Sequence, residues 1–253
     1  MDLSTELRHA LGAIAGTPQL LVTSDYDGTL APIVNDPGAA YPHPDAVDLL
    51  IDLAALPHTS TALISGRARA DLASLSSAPP QVHLVGSHGS EFDKGFVRPL
   101  DDSARALHGR LHTELRAVVN GLVGVALEVK PASIAVHVRN AAVEVGTQVL
   151  AAVRGGPAQW AGVEVTEGKA VIELAVIATD KGDAIEALRQ RVNATAVVFF
   201  GDDVTDEKAF RRLGPDDLGV KVGPGDTAAT YRVDSTEDVV TALRFLLEQR
   251  RLR

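Results

Sequence analysis

The sequence predicts an α/β fold: a doubly wound, mainly parallel sheet with an α+β unit inserted into it. Three observations carry this prediction. Short apolar runs alternate with helix-patterned segments near both ends of the chain, the pattern of βαβ units. The middle changes rhythm to helix–strand–strand, twice over, as antiparallel hairpins require. Four turns carrying chemically capable side chains fall at strand ends or helix starts.

Residues 20–24 (LLVTS) form a short apolar run, read as a buried parallel strand. Residues 45–56 place Val47, Leu50, Ile51 and Ala54 at helical spacing. Residues 61–64 read as a second strand, 69–75 as a helix, and 82–85 as a third strand ending at Gly86. Towards the other end, 183–192 read as a helix, 196–200 as a strand, 206–213 as a helix, 219–222 as a strand and 236–250 as a closing helix. In the middle, a helix over 103–120 precedes strands 123–129 and 133–138, split by Lys130, Pro131 and Ala132. A helix over 143–153 then precedes strands 163–165 and 170–174, joined by a turn over 166–169. The expected organisation is a core built from 1–102 and 178–253, with 103–177 as the insertion.

The 253 residues suit one core domain with a smaller partner. A 45% hydrophobic share with 23% charged residues is ordinary for a globular enzyme and too apolar for disorder. The formal net charge is −9, and no Lys/Arg-rich run precedes the last few residues, so no nucleic-acid partner is expected. The absence of cysteine excludes disulfides, zinc–thiolate sites and cysteine nucleophiles. Residues 1–6 lack the basic and apolar regions of a signal peptide, and no apolar run approaches the ~18 residues of a membrane span. The expectation is a cytoplasmic monomer with no membrane partner.

The strongest motif is DYDGTL, Asp25 to Leu30, directly after the first buried run. Asp25 and Asp27 project the same way from extended chain, at the strand edge where open α/β sheets bind ligands. Adjacent carboxylates repel each other unless a cation separates them, and a hard ion such as Mg²⁺ suits one or two carboxylates plus phosphate. Gly28 allows close backbone approach. The bland alternative is a turn that happens to hold Asp and Gly. A second motif, GDDVTD, brings Asp202, Asp203 and Asp206 to the end of another strand; its bland reading is an acidic helix cap. Ser65, Gly66 and Arg67 sit between a strand and a helix, where a hydroxyl and backbone N–H groups make an anion site. The simpler role for Ser65 is an N-cap. Lys181, ahead of the 183–192 helix, is either a surface lysine or the neutraliser of phosphate and carboxylates.

Taken in order, these motifs resemble those of the haloacid dehalogenase phosphatases. The resemblance implies that Asp25 is the nucleophile and Asp27 the general acid/base. It implies that Ser65 binds the transferring phosphoryl group and that Lys181 bridges nucleophile and phosphoryl oxygens. It implies a Mg²⁺ site that uses Asp25, Asp27, Asp202 and Asp203, with Asp206 as a further companion. The chain further resembles the trehalose-6-phosphate phosphatases, from about residue 20 to 245. The resemblance rests on GSHGSE (86–91), EVKPAS (128–133) with His137 and Arg139, GKAVIEL (168–174), and DDVTDE (202–207) with Phe210. It implies a mobile cap over 103–177 that closes on a disaccharide, with Glu128, Lys130 and Glu173 contacting the sugar. Gly66, Arg67 and His88 join the expected substrate-binding set. One departure stands: Ala175 and Val176 follow Glu173-Leu174 where family members commonly carry a basic residue and Pro. It leaves the core motifs untouched, so a hinge or phosphate-side contact is where a difference is expected.

Residue chemistry alone leaves other readings open. A capped phosphatase for another sugar phosphate, such as sucrose phosphate or a glycosyl-phosphoglycerate, shares the core motifs. A phosphomutase differs only in the acceptor. A silent regulatory domain is expected to have lost the nucleophile or a metal ligand, and Asp25 and Asp202 are both present.

Overall fold

The computed structural model describes residues 3–34, 36–93, 95–96, 100–168 and 170–253. Met1 and Asp2 of the N-terminal reading and Lys169 of the 166–169 turn lie outside the described residues. The chain divides into two compact units. One comprises Met1–Val97 and Thr179–Arg253, the other Arg98–Ala178.

The first unit opens with α1 (Thr5–Ile14), started by Ser4, whose hydroxyl accepts the Leu7 N–H. Leu7, Leu11 and Ile14 bury one face. The sequence reading assigned no element here, although the Ser cap and the apolar spacing were present to be read. Then follow β1 (Leu20–Ser24), α2 (Pro44–Ala54), β2 (Thr59–Ile64), α3 (Arg69–Ser76), β3 (Val82–Val85) and a short hairpin, β4 (Glu91–Phe92) and β5 (Gly95–Phe96).

The second unit contains α4 (Asp102–Val119), β6 (Ala126–Val129), β7 (Ser133–His137), α5 (Val143–Gly155), β8 (Glu164–Gly168) and β9 (Val171–Ala175). Its strands form an antiparallel sheet in the order β6-β7-β9-β8. Leu111, Leu115, Val149 and Val153 of the helices pack with Ile134, Val136, Ile172 and Leu174 of the sheet. Strand alternation puts Ser133, Ala135, His137 and Glu173 on the opposite face. Trp160 packs against this apolar core, with the Arg110 guanidinium 4.7 Å from its ring centre. Val176, part of the departure from the family pattern, is buried in the same core and donates its N–H to Ala132.

The chain returns to the first unit with α6 (Lys181–Val192), β10 (Ala196–Gly201), α7 (Val204–Phe210), β11 (Leu218–Val222), β12 (Tyr231–Val233) and α8 (Thr236–Arg251). Two helices start earlier than their apolar periodicity indicates. Asp180 and Asp203 each cap a helix reciprocally with the Asp three residues on, so α6 begins at Lys181 and α7 at Val204. The six-stranded sheet runs β12-β11-β10-β1-β2-β3, with every pair parallel. Leu20, Val22, Val198 and Phe200 face the cluster that includes α1, α2 and α8 residues, while Leu21, Val197 and Phe199 face the cluster with α6 and α7 residues. Chain order reverses at β1: β2 and β3 lie on one side of it, and β10, β11 and β12 on the other. The crevice beyond the carboxyl end of β1 is therefore the switch point where such sheets bind ligands.

Arg250 locks α8 to this unit. It is 8% exposed, and its guanidinium donates to the carbonyls of Ala15, Thr17 and His58 and to Thr59 Oγ1. Truncation takes the Arg250 donor from the buried Ala15 carbonyl and from Thr59 Oγ1. Arg250→Met is expected to cost about 3 kcal/mol, read as a lower urea midpoint at unchanged slope. A change within error at that position would show that the clasp contributes nothing net.

Candidate active site

The buried β1 ends at Ser24, and the Asp25 N–H continues the ladder to the Phe200 carbonyl at 2.8 Å. A tight turn follows, in which the Leu30 and Ala31 N–H groups both reach the Tyr26 carbonyl. Gly28 sits in it at φ +85°, and a Cβ there would collide with the Asp202 carboxylate. Only glycine meets both conditions. Thr29 Oγ1 donates to Asp202 Oδ1 at 3.3 Å, so the first turn of the site shapes the seat of the second.

Asp25, Asp202 and Asp206 each offer a carboxylate oxygen within 4.8 Å of the others, and this cluster could hold a metal ion. Lys181 Nζ lies 2.8 Å from Asp25 Oδ1 and 2.7 Å from Asp206 Oδ1. Asp25, Lys181 and Asp206 are 4%, 2% and 0% exposed, so their charges cannot be compensated by water. Burial pushes Asp25 well above the usual carboxylate range; Lys181 opposes this, while Asp206 and Asp202 add to it. Burial, then Asp206, push Asp202 up to about 6, with Lys181 opposing and Asp203 adding. Burial alone would pull the Lys181 ammonium down, but Asp206 and Asp25 outweigh it and hold the pKa above the usual lysine value.

The other predicted residues take distinct positions. Both Asp27 oxygens are engaged by Arg67, at 2.7 Å from Nε and 2.6 Å from Nη2. The guanidinium also lies 5.8 Å from the centre of the Tyr26 ring. Arg67, expected on the substrate, is here committed to Asp27. Ser65 is buried at the end of β2, and its Oγ accepts the Arg67 N–H at 3.1 Å. Asp203, expected among the metal ligands, turns its carboxylate to the Val204 N–H at the start of α7. Asp206 joins Asp25 and Asp202 in the cluster instead.

His88 sits in a left-handed run, with φ +51° at Ser87, +54° at His88 and +108° at Gly89. The His88 N–H reaches the Ser65 carbonyl and the Ser87 N–H the Arg67 carbonyl, zipping this loop to the Ser65–Arg67 turn. The imidazole lies against Gly66, where any Cβ would strike it. Three consecutive positive φ values, two of them at non-glycine residues, are held by these contacts.

In the second unit the register aligns Glu128, Ala135 and Glu173 across β6, β7 and β9. Lys130 Nζ lies 2.8 Å from Glu173 Oε2 and 4.0 Å from Glu128 Oε1. Ser133 Oγ donates to Glu173 Oε1 at 2.5 Å, and His137 Nε2 lies 2.9 Å from Glu128 Oε2. Burial opposes ionisation of Glu128, yet the His137 hydrogen bond and Lys130 hold its pKa below the usual value. Sequence reading singled out Glu128, Lys130 and Glu173 but missed Ser133, whose link to Glu173 depends on the β7–β9 pairing.

A lysine–carboxylate cluster at the switch point of a parallel sheet, with an antiparallel α+β unit inserted in the chain, is the architecture of the haloacid dehalogenase superfamily. The sequence pattern of the trehalose-phosphatase family matches residues 23–237, and the chain belongs to that family. It is 35% identical over 243 residues to a trehalose-phosphate phosphatase of Mycobacterium marinum, covering 89% of this chain and 61% of the relative. To a trehalose-phosphate phosphatase of Mycobacterium tuberculosis it is 36% identical over 249 residues, covering 92% and 62%. The chain thus spans about three fifths of the length of these curated relatives. Its fold is also that of the C-terminal domain of trehalose-6-phosphate phosphatase from C. albicans, with a TM-score of 0.81, 23% identity and 98% of each chain covered. Among the described residues no helix is long and apolar enough to cross a membrane.

The raised Asp202 pKa has a measurable consequence in metal-free protein. A folded-state pKa near 6, above the unfolded value of 3.8, contributes stability below about pH 4 that is lost as pH rises through 6. Asp202→Asn in chelator is therefore expected to raise the melting midpoint at about pH 7.5 and to raise it much less at about pH 4.5. Equal shifts at both pH values would contradict the charge frustration.

Proposed function

We propose that this protein hydrolyses trehalose 6-phosphate to trehalose and inorganic phosphate through an aspartyl-phosphate, acting with Mg²⁺ as a cytoplasmic monomer. The observation that carries the reading is the buried Asp25 carboxylate, ion-paired at 2.8 Å with Lys181 and flanked by Asp202 and Asp206. The all-oxygen, acidic donor set suits Mg²⁺, held by Asp25, Asp202 and Asp206. When bound, the ion supplies positive charge for the phosphoryl oxygens.

The chain's own residues divide the remaining work. An Asp25 oxygen attacks phosphorus and the ester P–O bond breaks. Asp27 gives a proton to the leaving sugar oxygen. Asp27 then takes a proton from water, whose oxygen attacks the phosphorus of the aspartyl-phosphate, freeing Asp25 and phosphate. Arg67 engages both Asp27 oxygens, so it must release one of them for this proton transfer. Lys181 neutralises charge beside Asp25, and the buried Ser65 hydroxyl donates to the phosphoryl group.

These groups can read only the phosphoryl group and its nearest atoms, so the choice of sugar falls to the Glu128, Lys130 and Glu173 face. Those side chains are already tied into one network, and carboxylates and ammonium groups suit sugar hydroxyls.

Phosphate release from trehalose 6-phosphate, sucrose 6-phosphate, glucosyl-phosphoglycerate and p-nitrophenyl phosphate, with and without Mg²⁺, tests the assignment. Trehalose 6-phosphate is expected to be fastest, and chelation to stop turnover. A faster rival sugar would overturn the substrate, and an unchanged rate in chelator the cation. Asp25→Asn is expected to lose at least ~10³-fold in rate while staying folded. Near-native turnover in that variant would exclude the aspartyl-phosphate.

Glu173→Ala is expected to lower kcat/KM for trehalose 6-phosphate by roughly 10- to 150-fold, the equivalent of about 1.5–3 kcal/mol for a charged hydrogen bond. Its effect on p-nitrophenyl phosphate is expected to be small, because that ester has no distal sugar. Equal losses on both substrates would count against a role in sugar recognition.

A further inference from the structure

Besides Lys181, a second buried lysine stands at the carboxyl edge of the sheet. Lys221 is 5% exposed on β11 and pairs in register with Gly201, the last residue of β10. Beyond Gly201 the chain leaves the ladder, and the Asp202 carbonyl has no strand partner in the register. The Lys221 ammonium donates to that carbonyl. Among the described residues it has no carboxylate within ion-pair distance. Burying an ammonium against one neutral carbonyl is costly for folding alone, and a methionine of similar volume would pack there with no charge to desolvate.

We propose that Lys221 is a positioning residue for the cation site, acting through the backbone of Asp202. The inference rests on the reading of Asp25, Asp202 and Asp206 as cation ligands. The Asp202 side chain is bounded by Gly28 and by Thr29 Oγ1 on one side, and its carbonyl is held by Lys221 on the other. With both ends fixed, the carboxylate direction is set before the ion arrives, as outer contacts do for metal ligands elsewhere. The ammonium also repels a cation through space. Holding the ligand and repelling the ion push affinity in opposite directions, and the proposal is that holding dominates.

The test is calorimetric titration of the full chain with MgCl₂, alongside melting midpoints in chelator and in Mg²⁺. Lys221→Met, which removes the donor, is expected to weaken Mg²⁺ binding about tenfold. Lys221→Arg, which keeps donor and charge, is expected to stay within about threefold of the native protein. Unchanged Mg²⁺ affinity in Lys221→Met, with only a lower midpoint in chelator, would reduce Lys221 to a packing role and overturn the proposal. Tighter binding would overturn it too, by showing that repulsion wins. If Lys221→Met does not fold, Lys221→Gln, which keeps a shorter uncharged donor, carries the comparison with Lys221→Arg: binding equal to that of Lys221→Arg overturns the proposal, and weaker binding supports it. Native protein that takes up no Mg²⁺ would remove the cation reading and this inference together, an outcome distinct from the variant results.

Discussion

One buried ammonium holds three separate pieces of chain in register. Lys181 opens α6, Asp25 follows β1 and Asp206 lies in the first turn of α7, and all three side chains are almost fully removed from water. None could be buried alone, because an unpaired charge in that surrounding costs several kcal/mol. Together they still leave an excess of negative charge, which Asp202 increases. That residual frustration is the physical basis for reading the cluster as a cation seat. The Asp206 carboxylate serves twice: one oxygen faces Lys181 and the other accepts the Asp203 N–H that starts α7. The helix cap and the charge cluster are therefore one structure, and Gly201 lacks a side chain where that carboxylate lies.

The topology explains why these pieces meet. With β1 between β2 and β10, the turns after all three strands open onto a single edge. Asp25 and Asp27 follow β1, Ser65 follows β2 and Asp202 follows β10. Residues about 175 positions apart in sequence thus become near neighbours, as the Thr29–Asp202 hydrogen bond shows with its separation of 173. The loop after β3 adds a fourth segment, bound to the Ser65–Arg67 turn through main-chain hydrogen bonds.

Much of this arrangement was legible in the sequence, and the parts that were not have physical reasons. Buried parallel strands are continuous apolar runs, so β1, β3 and β10 were visible directly, and the acidic turns after β1 and β10 announced themselves by charge. Which Asp of the second turn faces the cluster was not visible. Asp203 and Asp206 exchange hydrogen bonds as a capping box, and only the sheet geometry decides that Asp206 also points inwards. The commitment of Arg67 to Asp27 joins residues 40 apart and has no local signature. Lys221 was hidden inside an apolar strand, where its neighbour Gly201 gave no hint of a carbonyl in need of a donor. The strand β8 continues beyond the 163–165 reading into residues read as a turn, because Thr166, Glu167 and Gly168, on an edge strand, are exposed or half-exposed and lack a buried strand's apolar signal.

The inserted unit separates its apolar core from its charged side chains. Its apolar core lies on one face of the β6-β7-β9-β8 sheet, while the Glu128, Lys130, Ser133 and Glu173 network lies on the other. Ala135, between Glu128 and Glu173 in register, contributes only a methyl group and leaves the space above it to the charged side chains. Glu128, Lys130, Ser133 and Glu173 lie outside the apolar cluster that joins the sheet to α4 and α5. The Asp25–Lys181 cluster has no such separation, since each of its charges is needed for the others to be buried. The polar face of the second unit thus rests on a sheet whose packing lies on the other side, whereas the cluster of the first unit is fixed by a charge balance inside the fold.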